Sequence, residues 1–287
     1  MTTTDMVFEP DIAYGTGSGR ELMLDVLRPR DPGGERRPAV IWVHGGGWMG
    51  GDRAPSPNAP LVARGFVTAS IGYRFTQEAT FPAQIHDVKA AIRFLRANAG
   101  RWNIDPDRIG IWGASAGGHL AALAAVTAEI ATLEGDGGHP GVSTAVQAAV
   151  PLCPPTDFML DWSRTSAYPP HPEVGVAGPQ LLGGADLADP AVRATATLAS
   201  PLVHAWAGAA PSLVVHGVRD DLVPVAQARS FVARLREVGA PVEYIELPVD
   251  DHSLPSVFGA EGRPPTETME RIVAFFATAL GPVPLAG

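Results

Sequence analysis

Cysteine and lysine are almost missing from this chain of 287 residues, and each scarcity excludes a class of protein. Cys153 is the single cysteine, so neither an internal disulfide nor a cluster of metal-binding thiolates can form. It ends an apolar run and is interpreted as a small buried core residue. Lys89 is the single lysine, the arginines are scattered, and the net charge is −9. Because phosphate contacts need a dense basic face, nucleic-acid binding is disfavoured.

Long apolar runs are missing as well. No segment approaches the roughly 18 apolar residues that a membrane span requires. Residues 1–5 show no basic segment followed by an apolar core, so no secretory signal is expected. We therefore expect a cytoplasmic protein with no membrane span and a small-molecule partner. Pairing of two copies into a homodimer through an edge strand is left open.

Short apolar runs alternate with segments whose apolar residues recur at helical spacing. This alternation is typical of a parallel sheet covered by helices on both faces. Ahead of it, Val7–Leu27 predicts one or two antiparallel strands. The strand-like runs are Ala39–Val43, Val67–Ile71, Ile109–Trp112, Ala145–Leu152, Ser212–His216 and Val242–Leu247, and the helical segments are Ile85–Ala99, Ala116–Ala128 and Val225–Val238.

One segment, Pro154–Ser200, breaks the alternation. It is rich in proline, glycine and aromatic residues, among them Trp162 and Tyr168. A stretch this long inside a compact domain is usually a functional lid or a disordered loop, and its aromatic residues argue against full disorder. We interpret 154–200 as a cap over a site within a single domain, the alternative being a surface loop packed for structural reasons.

The pentapeptide Gly113–Gly117, with Ser115 at its centre, follows a strand-like run and opens an alanine-rich helical stretch. In that context a G-x-S-x-G pattern indicates a nucleophile elbow, a tight turn that exposes the serine hydroxyl above the sheet. In a chain with 32 glycines the same pattern also fits a simple strand-to-helix turn. The remaining parts of a serine site must therefore be present before the pattern carries a function.

A glycine-rich loop, beginning at His44, directly follows the run Ala39–Val43. Loops of this HGGG type supply backbone N–H donors for the oxyanion that develops during acyl transfer. The expected donors are Gly46 or Gly47 together with Ala116, and the N–H of Trp48 is a substitute. A phosphate-binding loop is the alternative, but such a loop requires a lysine and a Ser or Thr at the start of the next helix, and neither is present.

The base and the acid are expected in loops that follow late strands. His252 is the only one of the eight histidines beyond Val242–Leu247. His216 ends a strand and is interpreted as a polar group bonded to backbone, while His119 could face either the site or the core. Asp220 is favoured over its neighbour Asp221 as the acid that orients the histidine. No histidine pair has metal-ligand spacing on one helix, so no metal is expected. No cofactor is expected either, because a serine triad with an oxyanion hole needs none.

These stretches resemble the esterase and lipase branch of the α/β-hydrolase superfamily, and more closely its bacterial feruloyl and acetyl esterases and the relatives of hormone-sensitive lipase. The resemblance covers nearly the whole chain. Matching stretches are Val43–Trp48, Gly51–Arg53, Tyr73–Phe75, Phe81–Ala91, Ile104–Ile109, Ser115–Leu120, Ala199–Leu202 and His216–Pro224.

The resemblance implies an α/β-hydrolase fold with a mostly parallel sheet of about eight strands. It implies Ser115 as nucleophile, Asp220 as acid and His252 as base, with oxyanion donors at Gly46, Gly47 and Ala116. The expected reaction is hydrolysis of short- to medium-chain or aryl carboxylic esters in an apolar cleft beneath Trp48, with His119 a further candidate for substrate contact. Two alternative hypotheses are an arylformamidase or peptidase on the same scaffold, and a ligand-binding protein built on an inactive hydrolase.

Overall fold

Eight strands form one sheet across residues 5–31, 33–128, 130–160, 174–259 and 266–281, which are those described by the computed structural model. The strands are β1 (Met6–Gly17), β2 (Arg20–Pro29), β3 (Arg37–Val43), β4 (Val67–Ile71), β5 (Ile104–Ala114), β6 (Ala148–Leu152), β7 (Ser212–Gly217) and β8 (Val242–Leu247).

The spatial order of the strands is β1-β2-β4-β3-β5-β6-β7-β8. Strands β3 to β8 pair in parallel, whereas β1 pairs with β2 and β2 with β4 in antiparallel fashion. The expectation of a mostly parallel sheet of about eight strands is confirmed. Because β3 to β8 are parallel, their carboxyl ends lie along one edge of the sheet, and the loops after them converge there.

The helices are α1 (Ala59–Ala63), α2 (Ala83–Ala97), α3 (Ala116–Val126), α4 (Val174–Leu182), α5 (Pro190–Ala199), α6 (Ala226–Glu237), α7 (Pro255–Phe258) and α8 (Glu267–Ala279). Short 3₁₀ turns occupy Ala99–Trp102, Ala131–Leu133 and Pro201–His204. None of the helices in the described ranges has the length and apolar character needed to cross a bilayer.

The central strand β3 is buried on both faces of the sheet. All seven of its residues are buried. Ile41 and Val43 belong to the core that α2, α3 and α6 cover, whereas Val40 and Trp42 belong to the core beneath α8. Alternate side chains of a strand point to opposite faces, so an unbroken apolar run is what a doubly covered strand requires.

The predicted cap lies between β6 and β7. Two helices, α4 and α5, fall within its described part. Asp189 caps α5 by accepting a hydrogen bond from the N–H of Ala191 at 2.8 Å, and Pro190 opens the helix. Residues 161–173, including the aromatic residues Trp162 and Tyr168 on which the cap prediction partly rested, lie outside the described residues.

Candidate active site

Ser115 lies at the turn between β5 and α3, with φ 56° and ψ −120°. A non-glycine residue in such a conformation is strained and needs support from its surroundings. The support includes a hydrogen bond of 2.9 Å from the Ser115 N–H to the carbonyl of Leu152 on the neighbouring strand. A Cβ on Gly117 would overlap the carbonyl oxygen of Val43, so glycine there lets α3 start directly against β3.

Three side chains form a continuous hydrogen-bonded relay at the carboxyl edge of the sheet. The Nε2 atom of His252 lies 2.9 Å from Oγ of Ser115, and its Nδ1 atom lies 2.7 Å from Oδ2 of Asp220. The residues are separated by 137 and 32 positions in sequence, so only the fold brings them together. With Nδ1–H donating to the carboxylate, Nε2 is free to accept the serine proton.

Asp220 is held in the loop after β7 with its side chain fully buried. Its Oδ1 atom accepts the N–H groups of Leu222 and Val223 at 2.9 and 2.7 Å. Burial by itself would raise the pKa, but bonds to His216 and His252 outweigh it and lower the pKa of Asp220 to about 2. Asp220 is therefore a carboxylate at neutral and mildly acidic pH.

His252 lies in the loop after β8 and is partly exposed, with 17% of its side chain accessible. Burial opposes a charge on the ring, yet the neighbouring Cys153 and Asp220 raise the pKa of His252 above its ordinary value. The loop is fixed by Asp250, whose carboxylate accepts the N–H and hydroxyl of Ser256 at 2.8 and 2.6 Å. Asp250 thus braces the histidine loop and does not compete with Asp220 for the imidazole.

The glycine-rich loop after β3 folds back on itself beside Ser115. The carbonyl of Gly46 accepts the N–H groups of Met49 and Gly50 at 3.0 and 3.1 Å. Gly46 has φ 110°, and a Cβ there would overlap the Gly50 carbonyl, so this turn needs glycine. Gly47 and Trp48 follow with φ of 60° each.

A cleft of about 370 Å³ opens over this arrangement. Gly46, Gly47, Ser115 and His252 line part of the cleft. Ala116 follows the serine as the first residue of α3, where the N–H groups of the first helical turn have no partner inside the helix. The other lining residues are mostly apolar: Trp48, Met49, Pro155, Ala177, Leu222 and Val223. Ala177 belongs to α4, so the predicted cap segment supplies part of the wall.

Trp48 and His119, the two residues predicted to contact substrate, bond to each other. The indole Nε1–H of Trp48 donates to Nδ1 of His119 at 3.1 Å, and Nε2 of His119 donates to the carbonyl of Ala199 at 2.8 Å. Trp48 lines the cleft, whereas His119 is fully buried behind it and does not line the cleft. Burial lowers the pKa of His119 to about 4, so the ring is neutral.

Two residues near the relay were given only structural interpretations from the sequence. His216, expected to bond to backbone, donates from Nε2 to the Val223 carbonyl at 2.8 Å and also lies 3.2 Å from Oδ2 of Asp220. Cys153 is buried as expected, but one donor atom from each of Cys153, Asp220 and His252 lies within 4.8 Å of the others. The signal that could have found both is their position at the carboxyl ends of β6 and β7.

Comparison with known proteins assigns the chain to a sequence family. The sequence model of the BD-FAE family matches residues 24–235. The esterase LipQ of Mycobacterium tuberculosis is 39% identical over 249 residues, which are 85% of this chain and 56% of LipQ. The chain therefore spans little more than half the length of this curated relative.

Solved structures agree with the fold along nearly the whole chain. A truncated carbohydrate esterase from gut microbiota superposes with a TM-score of 0.82 and 30% identity, covering 96% of each chain. Esterase 2 of Thermogutta terrifontis with butyrate bound gives 0.73 and 25% identity, again over 96% of each chain. The α/β-hydrolase fold expected from the sequence is confirmed.

Proposed function

Because the chain belongs to the BD-FAE family, we propose that it is a serine carboxylesterase that hydrolyses short- to medium-chain or aryl esters. The observation that carries the proposal is the relay from Ser115 Oγ through both nitrogens of His252 to Asp220, at 2.9 and 2.7 Å. A serine hydroxyl becomes a competent nucleophile only beside an oriented base, and the relay supplies one.

In the first half of the reaction, Nε2 of His252 takes the proton as Ser115 Oγ attacks the ester carbonyl carbon. The imidazolium that forms keeps its Nδ1–H bond to Asp220, whose lowered pKa favours the charged acceptor. Collapse of the tetrahedral intermediate breaks the bond to the alcohol, which leaves with the proton from Nε2. The acyl group stays on Ser115 as an ester.

In the second half, a water molecule gives its proton to Nε2 of His252 and attacks the acyl carbon. The proton returns to Ser115 Oγ as the carboxylic acid leaves. In both halves the oxyanion is stabilised by backbone N–H donors, for which we propose Gly46, Gly47 and Ala116. Their place beside the serine supports this role, since preorganised donors stabilise the transition state more than the ground state.

The cleft supports a preference for small acyl groups. Its volume of about 370 Å³ is near the lower end of the usual range for ligand pockets, roughly 300–1,000 Å³. Met49, Pro155, Ala177 and Leu222 offer an alkyl or aryl chain an apolar wall. A relative that binds butyrate on the same fold is consistent with this size.

The test is turnover of p-nitrophenyl esters from acetyl to dodecanoyl, with feruloyl esters and acetylated sugars in the same panel. We expect acetyl to butyryl esters to give the highest kcat/KM and Ser115→Ala to remove turnover while the circular dichroism spectrum is unchanged. Wild-type activity in Ser115→Ala would exclude the mechanism. Faster turnover of an aryl formamide or a peptide than of any ester would show that the protein is an amide hydrolase and not an esterase.

A fluorophosphonate probe separates the esterase from a ligand-binding protein of the same fold. We expect stoichiometric labelling that maps to Ser115 and is lost in Ser115→Ala, because only an activated serine reacts. Intact protein that does not label would favour the binding protein. A cytoplasmic location and pairing into a homodimer stay predictions from the sequence.

A further inference from the structure

Three potential metal donors lie together in the relay and directly beside it. They are the thiol of Cys153, the carboxylate of Asp220 and a ring nitrogen of His252, and their donor atoms all lie within 4.8 Å of one another. Cys153 and the Asp220 side chain are fully buried, and His252 alone has solvent contact. An ion that reaches this cluster must therefore enter through the cleft, past the imidazole.

The three donors lie close enough together for a small tetrahedral ion to gather them with short movements. Bonds of about 2.3 Å to sulfur and about 2.0–2.2 Å to nitrogen and oxygen separate tetrahedral donors by roughly 3.3–3.7 Å. Closing the cluster on an ion needs the 2.7 Å contact between His252 Nδ1 and Asp220 Oδ2 to open by less than about 1 Å, and a separation near the 4.8 Å limit to shorten by about 1–1.5 Å. The adjustment falls to the imidazole of His252, because it is the only one of the three side chains with solvent contact, whereas Asp250 holds the backbone of its loop.

The chemistry of the donors selects the kind of ion. A thiolate and an imidazole favour zinc and softer ions, whereas magnesium and calcium require sets of oxygen donors. Three protein donors also leave a fourth position for water, as in open zinc sites. Asp220 is already oriented by the Leu222 and Val223 N–H groups, which is the outer support that a coordinating carboxylate needs.

We propose that Cys153, Asp220 and His252 form an inhibitory site for Zn²⁺ and for softer divalent ions such as Cd²⁺. The ion bonds to Sγ of Cys153, Nδ1 of His252 and Oδ2 of Asp220. The thiol proton is released to solvent, and the imidazole proton moves from Nδ1 to Nε2. Since Nε2–H now donates to Ser115 Oγ, the ring cannot accept the serine proton.

This mode of inhibition rests on the proposed function, whereas the binding of the ion does not. Substrate can still enter the cleft, so the ion is expected to lower kcat more than it raises KM. Inhibition and binding can therefore be measured on the same protein with independent readouts.

Binding is tested with Cd²⁺ alone, through the ultraviolet charge-transfer band of a thiolate–cadmium bond. Because Cys153 is the only cysteine, this band reports one residue. We expect one saturating band in the wild type and none in Cys153→Ala. His252→Ala should bind Cd²⁺ at least about tenfold more weakly, since even outer partners of metal ligands change affinity 10–100-fold. His86→Ala is the matched control and should bind Cd²⁺ like the wild type, because His86 lies on α2, bonds to the Thr132 carbonyl and is not one of the three clustered donors.

No band in folded wild-type protein, or equal affinity in the wild type and His252→Ala, would overturn the proposed site. Inhibition is tested with Zn²⁺ on ester hydrolysis, each variant being compared with its own metal-free rate. We expect reversal by a chelator and an inhibitory concentration at least about tenfold higher in Cys153→Ala. Equal inhibition of both proteins would show that zinc acts elsewhere. If the protein has no esterase activity, the cadmium band still decides whether the site exists.

Discussion

His119 is expected to make the folded protein lose stability between neutral and mildly acidic pH. The ring is fully buried, with Nδ1 accepting from the Trp48 indole and Nε2 donating to Ala199. A second proton would sit on Nδ1, directly against the indole N–H, and would remove the acceptor. Burial accordingly lowers the pKa of His119 from 6.5 to about 4.

The sign and size of the effect follow from proton linkage. Between about pH 6.5 and pH 4 the unfolded chain carries a proton on this ring and the native protein does not, so acid favours unfolding. The contribution is fully present above the unfolded pKa and is lost as the pH falls toward the folded value. One pKa unit corresponds to about 1.36 kcal/mol, so this ring lowers the free energy of unfolding by about 2 kcal/mol between about pH 7 and pH 5.

The assay is urea unfolding of the wild type and His119→Asn at both pH values. Asparagine can accept the Trp48 hydrogen bond through its side-chain oxygen but does not titrate. We expect the wild type to have the higher free energy of unfolding at pH 7. Its difference from His119→Asn should shrink by about 2 kcal/mol at pH 5. His44, whose pKa burial also lowers, titrates in both proteins and cancels. An advantage that stays constant within about 0.5 kcal/mol would refute the reasoning.

Three further outcomes test other parts of the molecule. Asp220→Asn should lower kcat by about 10³–10⁴-fold with little change in KM, measured on p-nitrophenyl butyrate, because the imidazole loses its orienting charge. Gly46→Ala should lower kcat at least about 100-fold, since its Cβ would overlap the Gly50 carbonyl, whereas Gly50→Ala, with open space at its Cβ, should keep activity within about twofold. Lys89→Met should lower the free energy of unfolding by about 2–3 kcal/mol in a urea titration, because methionine removes the hydrogen bonds of a buried ammonium. These bonds go to Glu134 at 2.7 Å and to the Thr127 carbonyl at 2.6 Å, and an unchanged midpoint would contradict their role.

The order of the reactive groups along the chain was predictable because of one rule of parallel sheets. Residues that directly follow parallel strands meet at the carboxyl edge, whatever their separation in sequence. Ser115, Asp220 and His252 each follow such a strand, and the structure brings all three within hydrogen-bonding distance. Of the two adjacent carboxylates, Asp220 is the one that bonds to the imidazole, 2.7 Å from Nδ1 of His252; its role as the acid stays a proposal.

The neighbours of the relay were not predictable in the same way. Cys153 also follows a parallel strand, but a cysteine at the end of an apolar run has the composition of a core residue, and its contact with His252 depends on how the β8 loop folds back. His119 posed the opposite difficulty. Its place one turn after the serine allowed either face of α3, and only the position of the Trp48 indole decides that it lies behind the cleft.

His216 is a second histidine beside the carboxylate of Asp220, and it bonds to the neighbouring backbone as well. Its Nε2–H lies 2.8 Å from the Val223 carbonyl and 3.2 Å from Oδ2 of Asp220, so the backbone bond is the shorter. His252 approaches the same oxygen to 2.7 Å. Because Val223 also donates its N–H to Oδ1 of Asp220, His216 fastens the turn that holds the acid. The histidine at the end of β7 therefore holds Asp220 in two ways, through the backbone of Val223 and through its own contact with Oδ2, while His252 makes the shorter bond to that oxygen.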